Sequence, residues 1–96
     1  MIRNFASKTA RDIFDGVESR HARHIDSRLH GKILRLFDQL NVARTLEALR
    51  IPPSNRLEKL EGDMKEFWSL RINRQWRIVF RWEKNHATYV DILDYH

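Results

Sequence analysis

From Met64 onward the apolar residues of this chain recur at every second position, whereas before residue 50 they recur at every third or fourth. That change of period constrains the fold more than any other feature, because it separates a helical half from a stranded half. The alternation predicts a first strand over residues 64–72. Met64, Glu66, Trp68, Leu70 and Ile72 lie on one side of it, with Lys65, Phe67, Ser69, Arg71 and Asn73 on the other. Asn73-Arg74 reads as a tight turn. The second strand puts Trp76, Ile78, Phe80 and Trp82 on one face and Gln75, Arg77, Val79 and Arg81 on the opposite one. After a turn at Lys84-Asn85, a third strand runs over about His86–Leu93 with Thr88, Val90 and Ile92 on one face. Three hairpin-linked strands make an antiparallel meander whose apolar face needs a cover.

The N-terminal half supplies that cover. Ser7 is placed to cap a helix over Lys8–Asp15, and Gly16 to stop it. Ala22, Ile25, Leu29, Ile33, Leu36 and Leu40, widened by Phe37, form one apolar stripe and predict a long helix over Ser19–Leu40. Gly31 marks where that helix is expected to kink or break. Asn41 is expected to cap a short helix, Val42–Leu49, and Pro52-Pro53 to enforce a loop. Residues 2–5 are expected as an edge strand. The fold class is therefore α+β, with N-terminal helices packed on one face of a small twisted antiparallel sheet, in one domain over 1–96.

The charge indicates the partner. The formal net charge is +5, and Arg supplies 13 of the 18 basic residues. The planar guanidinium fork suits phosphate and base stacking, so an anionic partner is expected, either nucleic acid or an acidic protein. Cys is absent, which removes disulfides, a thiol nucleophile and thiolate metal sites. The first residues lack the apolar core of a signal peptide, and no run reaches the roughly 18 apolar residues of a membrane span. A soluble cytoplasmic protein with no membrane partner is expected.

Strand parity sends Arg71 and Arg77 to the uncovered face of neighbouring strands, close together if the hairpin closes at Asn73-Arg74. Two like charges side by side call for an anion or a carboxylate, and Asp91 is the expected carboxylate in the free protein. Arg56 and Lys59 precede the sheet, and Arg74 sits in the turn. At the end of the chain Tyr95 is suited to stack on a base, His96 to move a proton near neutral pH, and Asp94 to orient the imidazole or bridge to an arginine. His21, His24, His30 and His86 read as surface residues. There is no HExxH, no phosphate-binding glycine loop and no spaced set of carboxylates. Neither metal nor cofactor is expected, and any phosphodiester chemistry should be metal-independent. RNA permits that, because its own 2′-hydroxyl is the nucleophile.

The residues carry a resemblance over nearly the whole chain. Ile2-Arg3-Asn4-Phe5, the early Asp15-Gly16, the run Pro53–Asp63, the hairpin Trp68–Phe80 and the ending Val90–His96 are similar to the HigB toxins of HigB/HigA type II toxin–antitoxin systems, within the RelE-like superfamily. The resemblance implies a RelE-like fold and a ribosome-dependent mRNA endonuclease that enters the A site of the 70S ribosome. It implies a HigA-like helix-turn-helix antitoxin, with operator DNA bound only through the toxin–antitoxin complex. It maps catalysis onto His96, Asp94 and Tyr95, with Arg71, Arg77 and Lys59 as the basic clamp. RNA contacts are expected from Arg56, Lys59, Arg71, Arg74, Arg77 and Tyr95. One departure stands out. Some relatives carry a His in the loop before the sheet, where this chain has Asn55 and Arg56. The alternative is therefore a weak or inactive module of the same fold, acting as an antitoxin-binding corepressor or an RNA-binding protein. Because the chain stops on His96, its α-carboxylate is expected to raise the imidazole pKa.

Overall fold

The structure, a computed structural model, describes residues 1–95. Helix α1 spans Lys8–Asp15, as its end signals require. Ser7 Oγ accepts from the Ala10 amide, and Gly16 closes the helix at φ 72°. The predicted long helix is instead broken. Helix α2 covers only Arg20–Arg23, a 3-10 turn follows over Ser27–Leu29, and α3 runs His30–Val42. The break falls at Asp26 rather than Gly31. The Asp26 carboxylate accepts from the Arg28 amide at 2.9 Å and pairs with the Arg28 guanidinium at 2.7 Å. These bonds bring the Asp26 pKa down to about 2. A side chain that bonds its own neighbours competes with helical hydrogen bonding, and here it wins. The stripe survives the break, since Ala22, Ile25, Ile33, Leu36, Phe37 and Leu40 are all buried.

The short helix expected over Val42–Leu49 is also displaced. Helix α3 runs through Asn41, whose Oδ1 accepts from the Ile2 amide. Thr45, not Asn41, caps a 3-10 turn over Leu46–Arg50.

Four strands form one antiparallel sheet in the order β1-β2-β3-β4. They are β1 Glu58–Lys59, β2 Trp68–Arg71, β3 Trp76–Glu83 and β4 His86–Asp94. Strand β1 was not foreseen, and β2 starts later than residue 64 because Gly62–Met64 forms a 3-10 turn. Residues 2–5 do not make a regular strand. They touch β4 through two parallel bridges, Ile2↔Ala87 and Phe5↔Val90. The helices cover the face carrying Leu70, Ile72, Ile78 and Phe80, all fully buried. Trp68 and Trp76 sit half-buried at its margins, one under Lys59 Nζ (5.0 Å) and the other against the His24 ring (5.9 Å). The pairing of β3 with β4 slips by one residue between Arg81↔Thr88 and Val79↔Asp91. The slip accompanies Tyr89 at φ 51°, a β-bulge. It corrects the expected parity of β4, because Ala87 joins Val90 and Ile92 in the core while Thr88 lies on the other face.

Asp12 ties the helices together. It is buried, and the Ser19 hydroxyl at the start of α2 donates to it at 2.7 Å. That bond, helped by the Lys8 charge, holds the carboxyl below its ordinary value. The unfolded chain therefore takes up the proton first. The stabilisation is complete above the ordinary Asp pKa of about 4 and is lost as pH falls through the folded value. Asp12→Ala is expected to lower the melting temperature by about 5 °C near pH 7. The difference from wild type should shrink in acid, and thermal melts across that range would expose an error if it stays constant.

Candidate functional site

Arg71 and Arg77 are direct cross-strand partners on the face of the sheet turned away from the helices. The hairpin that sets them there is one residue longer than expected. The Ile72 amide bonds the Trp76 carbonyl at 3.0 Å, and Asn73 Oδ1 accepts from the amides of Gln75 and Trp76. The aspartate-like turn chemistry of Asn73 fixes the loop without needing a glycine.

The two arginines have different surroundings. The Arg77 side chain is only 11% exposed and lies flat on the sheet. Its Nη1 donates to Ser69 Oγ at 2.8 Å, its Nη2 pairs with Glu58 at 2.7 Å, and its guanidinium stacks 4.8 Å from the centre of the Tyr95 ring. Glu58 is therefore the carboxylate beside the pair. Asp91 is not: its Oδ1 accepts from the Ile92 amide. Tyr95 continues the β3–β4 pairing through its amide to the Gln75 carbonyl, and half of its surface stays exposed.

Arg71 faces a different environment. With Ile72, Asn73 and Arg74 it forms one wall of an open cleft of about 470 Å³. Ser54 and Arg56 form a second wall and Lys32 of α3 a third. Three of the residues expected to bind RNA, Arg56, Arg71 and Arg74, thus meet in one place. Lys32 was missed, because a lone exposed lysine on a helix carries no signal of its own. Among the described residues, none of these four cations is in an ion pair.

Two expected members stand elsewhere. Lys59 pairs with Trp68 in the β1–β2 register, which puts it on the helix side of the sheet and over the Trp68 ring. It is thus separated from Arg71 and Arg77 by the sheet itself. Asp94 pairs with Trp76 and accepts from Gln75 Nε2 at 3.0 Å. It borders a groove with Ser7, His24 and Trp76, on the side opposite Tyr95. His96 lies outside the described residues.

Asn55 explains what stands in place of a loop histidine. It is buried, and its Nδ2 donates to Gln39 Oε1 and the carbonyls of Leu49 and Ile51. It pins the loop to α3 instead of facing a substrate. The next residue, Arg56, is held at φ 47° with its amide on the Pro53 carbonyl. A non-glycine residue in that region costs of order 1 kcal/mol, so the surrounding contacts must fix it.

The helix histidines His24 and His30 lie away from the Arg71–Arg77 face. His24 meets Trp76, and His30 Nε2 lies 2.9 Å from the Ile25 carbonyl. At the far hairpin, burial first and the Arg3 charge second push His86 below its ordinary pKa.

Paired arginines and a stacked tyrosine on the open sheet face of a small α+β fold suit an anionic partner. Residues 3–96 match the family model described as HigB-like toxin, a RelE-like toxin of the type II toxin–antitoxin system HigB. The chain is 41% identical over 76 residues to toxin HigB-1 of Vibrio cholerae serotype O1, covering 77% of this chain and 79% of that protein. It is 33% identical over 73 residues to an uncharacterized protein of Haemophilus influenzae, covering 74% of this chain and 72% of that one. In a solved YoeB–YefM complex from Staphylococcus aureus, one chain superposes with a TM-score of 0.62 at 19% identity, covering 100% of this chain and 98% of that one.

The chain belongs to the HigB-like family of RelE-like toxins. It is the toxin of a type II toxin–antitoxin system, with an antitoxin as partner, and an endoribonuclease that cuts mRNA on the ribosome. No helix among the described residues is long and apolar enough to cross a membrane.

Proposed function

We propose that mRNA is cut at the end of the open sheet face where Arg71, Arg77 and Tyr95 meet, with His96 as the proton donor. The observation that carries this reading is the direct opposition of Arg71 and Arg77, with the Tyr95 ring under one guanidinium. Two cations at that spacing suit a phosphate that gains charge as it becomes five-coordinate. The 2′-hydroxyl oxygen attacks the adjacent phosphorus and its proton leaves to water. The bond to the 5′-oxygen breaks, and the protonated imidazole of His96 supplies that oxygen with its proton. The product ends in a 2′,3′-cyclic phosphate. Tyr95 stacks on a base beside the scissile bond, while Asp94 holds the chain end through Gln75. Lys59 has no part in the clamp, and neither metal nor cofactor is needed.

The antitoxin is of the HigA-like helix-turn-helix kind, a reading supported by the HigB family match. Operator DNA is bound only through that complex. A ribosomal target supports a cytoplasmic protein. Residues 1–96 act as one toxin domain, supported by the family match over 3–96.

The test is His96→Ala on programmed ribosomes. Cleavage of the A-site codon is expected to fall by about a hundred- to ten-thousand-fold, the range for a lost general acid. Cleavage at the wild-type rate would remove His96 from the chemistry.

A further inference from the structure

We propose that the cleft between the start of α3 and the β2–β3 hairpin is a second RNA-backbone site, where Lys32, Arg56 and Arg74 hold a phosphate flanking the scissile one. The proposal rests on the reading of the hairpin face as the place of cleavage and adds to it how the strand is held. Lys32, Ser54, Arg56, Arg71, Asn73 and Arg74 line the cleft, with the Ile72 backbone between them. Among the described residues its charged side chains are four cations, with no carboxylate.

What sets the cleft apart is that four cations converge on one place. Arg11, Arg28, Arg50, Arg77 and Arg81 each have a carboxylate within 3.6 Å. The four cleft cations have none among the described residues, so a bound anion would relieve their mutual repulsion. The walls are also fixed before any ligand arrives. Asn73 locks the hairpin, and buried Asn55 locks the loop that presents Arg56. Lys32 stands on a helix anchored by buried Ile33 and Leu36.

The chemistry selects a phosphodiester. The Ser54 hydroxyl and the cationic groups are donors that match phosphate oxygens. Among the described residues no aromatic side chain lines the cleft, so it offers a base no stacking platform. The site therefore contributes affinity without reading sequence. Because Arg71 lines the cleft and also opposes Arg77, the bound strand passes from one site to the other along a single hairpin.

The experiment titrates the full chain with a single-stranded RNA methylated at every 2′-oxygen, which cannot be cut, over a series of salt concentrations. Lys32→Ala is expected to weaken binding about tenfold near 0.1 M salt and to lower the slope of log affinity against log salt by about 0.7. Arg35→Ala removes the same charge from the same helix outside the cleft, and is expected to change affinity less than twofold. Equal effects of the two variants would overturn the cleft and leave only a diffuse positive field. The cleavage reading fails separately. If His96→Ala cuts at the wild-type rate while Lys32→Ala loses binding, catalysis is misassigned and the cleft stands.

Discussion

Arg77→Ala should lower mRNA cleavage on programmed ribosomes by about a hundred- to a thousandfold, the range for removing one preorganised donor from a developing anion. The size follows from how Arg77 is held. Its guanidinium is fixed by Ser69, Glu58 and Tyr95 before substrate arrives, so little ordering remains to be done in the transition state. Arg77→Lys should recover only a small part of the loss, because an ammonium cannot keep both the Ser69 bond and a bidentate phosphate contact. Glu58 acts in the opposite direction. It competes with phosphate for the same guanidinium, so Glu58→Gln should raise affinity for uncleavable RNA by about fivefold, equivalent to about 1 kcal/mol for one nearby charge. Glu58→Gln should not move the melting temperature by more than about 5 °C, because the Glu58 side of the pair is largely exposed. Equal cleavage by Arg77→Ala and wild type would show that the open face is not where the reaction occurs.

Phe37→Ala should cost about 3–5 kcal/mol of folding stability. Phe37 is fully buried on α3 and meets the rings of Phe5 and Phe14 at 5.7 and 5.9 Å, while those two lie 5.2 Å apart. The trio joins α1, α3 and the N-terminal segment that bridges to β4. Truncation leaves a cavity where three elements meet, and neither the helices nor the sheet can close it without losing other contacts. Native domains are stable by only about 5–15 kcal/mol, so much of the margin should go. Urea titration of both proteins checks this, and a single cooperative transition in each would support one folding unit over 1–96. A loss under about 1 kcal/mol would mean that the trio does not join these elements.

Much of this architecture was readable from local chemistry. Helix α1 ends where Ser7 and Gly16 say it should, and the alternation in β2 and β3 sorted Leu70, Ile72, Ile78 and Phe80 from Arg71 and Arg77 correctly. The misses share a cause: they depend on competition or pairing that a one-dimensional pattern does not carry. The apolar stripe runs unbroken past Asp26, so it hides the side-chain cap that ends the helix there. A two-residue strand such as Glu58–Lys59 has no period to detect. Without β1, parity could not be applied to Lys59, which was grouped with arginines on the wrong side of the sheet. Nor could Glu58 be recognised as the partner of Arg77. The bulge at Tyr89 adds one residue to β4 and reverses the parity of Thr88. Lys32 joined Arg56, Arg71 and Arg74 only once α3 had been packed beside the hairpin.

On the proposed mechanism this hairpin face cuts RNA by turning the strand's own 2′-hydroxyl on its phosphate. The most direct test compares two mRNAs on programmed ribosomes with the wild-type toxin, identical except for a 2′-deoxy sugar at the mapped scissile nucleotide. The all-ribose message is expected to be cut to a 2′,3′-cyclic or 3′-phosphate end while the deoxy-substituted codon stays intact. Cleavage of the deoxy codon at a comparable rate would contradict the mechanism.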